Sequence, residues 1–249
     1  MNKNFLLLYE EFLKIKNMGW IKSMRKGSTG IGYTFENLLN KPEENFPIPD
    51  FNDIEIKTGR KFSKKDIHLF CANPDGDTLF PNDRILYYLG YPDKDIASTK
   101  IFNMNFDAKN YKNIGIFKEG KIFVNRKEKK IDFIARKIDG KFFKMETSWS
   151  FDMLEHRLNL KLKYLARITA DVKRINDEEY FKYDKIVFYK LKNFETFITL
   201  IEKGYININF NIGVYKSGIK KGKIHDRGVN FSIKEKDLNL LFDEIDIRL

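Results

Sequence analysis

Pro47-Ile48-Pro49-Asp50-Phe51-Asn52-Asp53-Ile54-Glu55-Ile56-Lys57-Thr58 is the stretch whose reading decides the fold. Read as a strand from about Asn52, its side chains alternate between two faces. Ile54 and Ile56 point into a core. Glu55 and Lys57 point the other way, with Asp50 just upstream, where Pro49 holds the chain extended. One face then carries two carboxylates and an ammonium at the end of a buried strand. Carboxylate oxygens are hard ligands that suit Mg²⁺, which needs few protein ligands and keeps room for waters and phosphate. Lys57 beside such an ion would orient or deprotonate a water, the arrangement of a metal-dependent phosphodiesterase. Among 249 residues with 35 acids and 46 bases, the spacing acid-x4-acid-x-Lys arises by chance roughly once. The plain alternative is an amphipathic edge strand with a solvated Glu/Lys pair.

The whole chain narrows the choice. Its length fits one large domain or two lobes with ample core. Hydrophobic residues at 42% and aromatics at 15% argue against disorder. A formal charge of +11 favours a polyanionic partner, nucleic acid first. A lysine-rich composition inherited from an AT-rich genome would give the same charge. The single cysteine, Cys71, lies in the apolar run Ile67 to Ala72 and is expected as a buried small hydrophobe, so no disulfide forms within the chain. His68, His156 and His225 show no metal-ligand spacing. The opening run from Met1 is too short for a signal peptide and nothing spans a membrane, so the expected location is cytoplasmic.

Phe5, Leu8, Phe12, Leu13 and Ile15 predict a helix over about 4–18. Arg25-Lys26-Gly27-Ser28-Thr29-Gly30-Ile31-Gly32 is glycine-rich and basic but lacks the Gly-Lys-Ser/Thr ending of a P-loop. It is read as a loop whose backbone N–H groups, with Arg25 or Lys26, approach a phosphate. A helix follows from Thr34, with Phe35, Leu38 and Leu39 inward. Glu36 then lies beside an apolar face, where a lone carboxylate is costly. A salt bridge to Lys57 and an outer-sphere place near a metal both explain it.

The run Ile67 to Cys71 is expected to pair beside the motif strand. Asn73-Pro74-Asp75-Gly76-Asp77 is a turn, and about 80–90 a helix. Alternation over about 112–147 predicts an antiparallel meander with hairpin turns at Glu119-Gly120 and Asp139-Gly140. Trp149-Ser150-Phe151-Asp152 opens a helix, capped by Ser148 or Ser150, with the stripe Phe151, Leu154, Leu158, Leu162. A strand begins near Leu165, another covers 186–189, and a helix covers about 193–203. The stretch from Gly213 to Gly228 joins two more strands and gathers Lys216, Lys220, Lys221, Lys223 and Arg227 at a glycine-opened tip. Its lysines suit phosphates, whereas His225 and Arg227 can reach guanine edges in a major groove.

Several of these blocks resemble one family. The run Arg25 to Leu39, then Pro49-Asp50-Phe51 and Asp53-Ile54-Glu55-Ile56-Lys57-Thr58, is similar to the MvaI/BcnI family of type II restriction endonucleases. These are monomeric relatives of the MutH nicking enzyme within the PD-(D/E)XK nuclease fold. Trp149-Ser150-Phe151-Asp152, Lys161-Leu162-Lys163-Tyr164, Gly213-x-Tyr215-x-Ser217-Gly218 and Lys221-Gly222-Lys223-x-His225-Asp226-x-Gly228 extend the resemblance. It implies that Asp50, Glu55 and Lys57 are catalytic, that Glu36 supports them, and that Asp50, Glu55 and the Ile56 carbonyl hold Mg²⁺. Mn²⁺ is expected to substitute, and Ca²⁺ to support binding without cleavage. DNA contacts are expected from Arg25, Lys26, Thr29, Tyr215, Lys216, Ser217, Lys221, Lys223, His225, Asp226 and Arg227. Where family members are expected to read bases with an acid and an arginine, this chain carries Asn209 and Asn211.

The expected architecture is therefore an α/β, MutH-like two-lobed monomer with a mixed sheet. A catalytic lobe over 1–147 precedes a mainly DNA-recognition lobe over 148–249. The expected function is Mg²⁺-dependent, sequence-specific hydrolysis of duplex DNA to 5′-phosphate and 3′-hydroxyl ends. A cognate DNA methyltransferase would accompany it without a stable complex. A MutH-like mismatch-repair nickase, a non-catalytic DNA-binding protein and an RNA-processing nuclease remain the alternatives.

Overall fold

The computed structural model describes residues 3–39, 48–76 and 81–247. Met1, Asn2, Pro47 and Asp77, with the far end of the expected 73–77 turn, lie outside them. In chain order the elements are α1 (Lys3–Asn17), β1 (Ile21–Lys22), α2 (Gly30–Leu38), β2 (Ile54–Arg60), β3 (Ile67–Cys71), α3 (Pro81–Leu89), β4 (Tyr91–Pro92) and β5 (Lys100–Phe106). There follow β6 (Lys112–Ile114), β7 (Lys118–Asn125), β8 (Lys130–Lys137), β9 (Thr147–Ser150) and α4 (Phe151–Leu162). The chain continues through β10 (Tyr164–Ile175), β11 (Glu178–Leu191), α5 (Phe194–Glu202), β12 (Ile206–Val214), β13 (Ile224–Ile233), α6 (Leu238–Leu241) and β14 (Phe242–Ile245).

These elements form two compact units assembled from interleaved segments. One comprises 1–65, 157–193 and 238–249; the other comprises 66–156 and 194–237. The division does not follow the sequential split at 147/148. The reason is β10, which pairs in parallel with β2 and so brings residues after 163 back to the first unit.

The first unit is built on a sheet in the order β1-β11-β10-β2, with β14 also on β11. Ile54 and Ile56 of β2 alternate onto one face with Ala166, Ile168 and Ala170 of β10 and Phe181 and Tyr183 of β11. That face packs on Phe5, Leu8, Phe12 and Ile15 of α1 and on Ile31 and Phe35 of α2. Helix α2 begins four residues before the expected Thr34. Its buried residues are Gly30, Ile31, Thr34 and Phe35, while Leu38 and Leu39 are only partly covered. The glycines that read as loop serve the helix's first turn: a Cβ on Gly30 would lie 2.3 Å from the Arg25 carbonyl oxygen.

In the second unit β3, β13, β12, β5 and β4 form one sheet, and β6 to β9 form the meander. Strand β3 pairs with β13, not with β2 as the sequence suggested. The pattern along β3 leaves Cys71 exposed rather than buried. Glu119 and Gly120 sit inside β7, opposite Arg136 and Ala135. Gly120 gives room to the Phe133 ring, 3.0 Å from where its Cβ would be. The β6–β7 turn instead holds Gly115 at φ +66°. Gly140, at φ +93°, does sit in a turn, which Lys137 and Lys141 close. Trp149 belongs to β9, fully buried, with its indole N–H donating to the Ala72 carbonyl at 2.9 Å. Helix α4 therefore starts at Phe151, and Ser150 Oγ accepts the Met153 N–H at 3.3 Å as its cap.

Candidate active site

Strand β2 delivers the acidic motif, but its approach is bent rather than extended. Phe51 and Ile54 exchange both backbone hydrogen bonds, at 2.9 and 2.8 Å, around Asn52 at φ +54°. Asparagine tolerates this left-handed conformation. Asn4 of α1 clamps the turn, donating to Asp53 Oδ1 at 2.7 Å and accepting from Asn52 Nδ2 at 3.2 Å. The bend folds Asp50 back, so its Oδ2 accepts the Ile56 N–H at 2.8 Å.

Glu55 is only 1% exposed although it faces away from the main core. The register sets Glu55 beside Leu165 and Lys57 beside Arg167 on β10. Lys57 Nζ lies 2.5 Å from Glu55 Oε1, and Lys161 Nζ lies 3.5 Å from the same oxygen. Glu55 Oε2 is buried and has no hydrogen-bond partner among the described residues. Burial first, then the Asp50 charge, pushes the Glu55 carboxyl up to about 7, against the opposing pull of Lys57 and Lys161. A solvated Glu/Lys pair on an edge strand would show neither the burial nor the orphaned oxygen. Arg167, itself buried, donates to the Lys57 carbonyl at 3.1 Å and fills the space over Gly59. A Cβ on Gly59 would lie 2.2 Å from its guanidinium.

Glu36 lies at the α2–β2 packing. Its Oε1 would be 3.5 Å from a Cβ on Gly32, beside Thr58 Oγ1, and its charge adds to the burial that holds the Tyr183 hydroxyl above its ordinary range. In the loop before α2, Arg25 stacks over the Tyr33 ring at 3.6 Å and Lys26 is exposed. Thr29 makes no side-chain capping bond.

In the second unit Tyr215 stacks flat on His225, with centroids 4.2 Å apart. Lys221, Lys223 and Arg227 are exposed, as is Ser217. Asp226 accepts from the Gly228 N–H at 2.8 Å and from Asn82 of α3. Three expected contacts are otherwise occupied. Asn209 donates to Asn230 Oδ1 at 2.9 Å and Ser232 Oγ at 2.8 Å, and Asn211 donates to the Gly228 carbonyl at 3.1 Å. The Lys216 ammonium is held by Asp93 and by Asp95, the latter at 3.0 Å.

The sequence reading missed Lys161. On α4 it stands three residues after Leu158 and beside Leu162, so the charge sits at the edge of an apolar stripe. That is the signal that had singled out Glu36.

Among the described residues no group of three or more His, Cys, Asp or Glu could hold a metal ion. Two carboxylates and a carbonyl nevertheless suit a hard cation that keeps most of its waters, and the partnerless Glu55 Oε2 is the free donor such an ion needs. No helix among the described residues is long and apolar enough to cross a membrane.

Comparison with solved structures gives the class. The chain superposes on the restriction endonuclease MvaI–cognate DNA substrate complex with TM-score 0.91 at 32% identity, covering 98% of each chain. Against restriction endonuclease MvaI in the absence of DNA the TM-score is 0.62 at 28% identity, again over 98% of each chain. The mixed α/β fold is that of a restriction endonuclease, a site-specific deoxyribonuclease. The MvaI/BcnI restriction endonuclease family model matches residues 9–242, and the chain belongs to that family. A comparison with curated proteins found no match. Restriction endonucleases generally use divalent metal ions.

Proposed function

We propose that this enzyme hydrolyses duplex DNA at a specific sequence as a Mg²⁺-dependent monomer, through a PD-(D/E)XK-type site made by Asp50, Glu55 and Lys57. The observation that carries the reading is Glu55, a buried carboxylate with one oxygen between two lysines and the other without a hydrogen-bond partner among the described residues. Asp50, Glu55 and the Ile56 carbonyl would hold the ion. Mg²⁺ held there would supply Lewis acidity to the scissile phosphate and to a bound water. The bend at Asn52 and the Asp50–Ile56 hydrogen bond fix the two carboxylates before DNA arrives. Lys57 orients the water and stabilises charge developing on the phosphate, its backbone held by Arg167. Glu36 supports the site from α2. The products are a 5′-phosphate and a 3′-hydroxyl.

In this reading Lys26, with Arg25 and Thr29, approaches the DNA backbone from the loop before α2. Lys221 and Lys223 neutralise phosphates, and Arg227 and His225 read base edges. Asp226, Tyr215 and Ser217 shape that reading surface. Mn²⁺ supports cleavage, Ca²⁺ supports binding alone, and a cognate methyltransferase protects the host sites. Digestion of a plasmid of known sequence with Mg²⁺, followed by mapping of the ends, tests the proposal. Discrete fragments sharing one end sequence are expected. Intact plasmid, or nicking that needs a partner and hemimethylated DNA, would overturn it.

A further inference from the structure

Lys216 stands at the start of the basic loop, and although the residue is exposed its ammonium lies on Asp93 and Asp95. Asp93 is 4% exposed, and its Oδ1 accepts the N–H groups of Asp95 and Ile96, both at 2.9 Å, as well as the Lys216 ammonium. A buried carboxylate without a cation is costly, so Asp93 holds the Lys216 ammonium although the rest of that side chain is partly exposed. Lys216 draws the Asp93 carboxyl below its ordinary range. The same segment grips the loop's far side, where Thr99 Oγ1 donates to the Gly222 carbonyl at 3.1 Å. The loop is closed on itself by Tyr215 N–H to Lys223 carbonyl at 3.0 Å and Gly222 N–H to Tyr215 carbonyl at 2.9 Å. Next to Lys216, Tyr215 carries the His225 ring, and Arg227 follows two residues later.

We propose that Asp93 is a positioning residue for DNA recognition: by holding Lys216, with Thr99 holding Gly222, it sets the loop that presents His225 and Arg227. This rests on the reading of that loop as the DNA-recognition element. Lys216 is then a tether for the loop, and its ammonium, turned onto Asp93 and Asp95, makes no direct phosphate contact.

The test compares Lys216→Met, Asp93→Asn and Lys223→Ala for binding, in Ca²⁺, to a duplex carrying the mapped cleavage sequence and to a scrambled duplex over a salt series. Asparagine at 93 keeps the acceptor for the Asp95 and Ile96 N–H groups and loses only the charge. Lys223→Ala should weaken binding to both duplexes and flatten the salt dependence by about one unit of slope. Lys216→Met should lower scrambled-duplex affinity and the slope by less than Lys223→Ala does, while the cognate-to-scrambled ratio falls about tenfold, the size of one base contact. Asp93→Asn should lower that ratio likewise. Lys216→Met that weakens both duplexes equally and flattens the slope by one unit would make Lys216 a phosphate contact and overturn the proposal. An unchanged ratio in Asp93→Asn would overturn it too. If Lys223→Ala alters neither duplex, the loop is not a DNA-binding element, and the reading beneath the proposal fails with it.

Discussion

Replacing Glu55 by glutamine should make the metal-free protein more stable at pH 8 and change little at pH 5. The carboxyl moves from its ordinary 4.5 to about 7 on folding, chiefly because it is buried. The folded protein therefore holds this proton more tightly than the unfolded chain does. The stability that results is fully present below about pH 4.5 and is lost as the pH rises through 7. The whole shift corresponds to about 3 kcal/mol, most of which falls between pH 5 and 8. Other carboxylates, among them Asp184 and Glu179, are shifted downward, and their contribution changes mainly below the pH 5–8 window. The difference between wild type and Glu55→Gln cancels them. Urea unfolding of both proteins in a chelator at pH 5, 6, 7 and 8 reads that difference directly. The advantage of the variant should grow by about 2–3 kcal/mol across the series. Saturating divalent ion at pH 8 should then stabilise wild type and not the variant. A difference that stays flat with pH would mean that Lys57 and Lys161 fully offset the burial of Glu55, and would refute the reasoning.

The same titration governs the metal. Ca²⁺ binding in the absence of DNA, followed by calorimetry, should weaken about tenfold from pH 8 to pH 6, because the ligand must lose its proton; affinity independent of pH would remove Glu55 from the ligand set. Glu36→Gln should slow cleavage strongly with little change in melting temperature, whereas normal cleavage with a large loss of stability would assign Glu36 to structure alone. Arg227→Ala should lower affinity for the cognate duplex by about 1–3 kcal/mol and leave scrambled DNA nearly unaffected. Equal losses on both duplexes would make it a phosphate anchor.

Local periodicity carried much of the fold. Phe5, Leu8, Phe12 and Ile15 mark α1, the isoleucines of β12 alternate with Asn207, Asn209 and Asn211, and the leucines of α4 mark its buried stripe. What local pattern could not carry was partner choice. Nothing in Ile67 to Cys71 says that β3 joins β13, or that β10 crosses back to lie parallel to β2, since both pairings are set by residues more than a hundred positions away. Glycines misled where close packing, and not a turn, demands them, as at Gly30 and Gly120. The acidic motif was legible as a set of residue types on one strand face. The burial of Glu55 and its second lysine were not, because both depend on elements remote in sequence. Counting charges likewise placed Lys216 among the phosphate contacts, although Asp93 had already engaged it.

The most direct test of the account is cleavage and binding by purified Asp50→Ala, measured side by side. Asp50 Oδ2 accepts the Ile56 N–H at 2.8 Å from outside strand β2, so alanine leaves the β2–β10 pairing in place while removing one carboxylate from the site. The account predicts that plasmid cleavage in Mg²⁺ disappears while duplex binding in Ca²⁺ stays within a few-fold of wild type. Cleavage at the wild-type rate would contradict the assignment of this strand face as the active site.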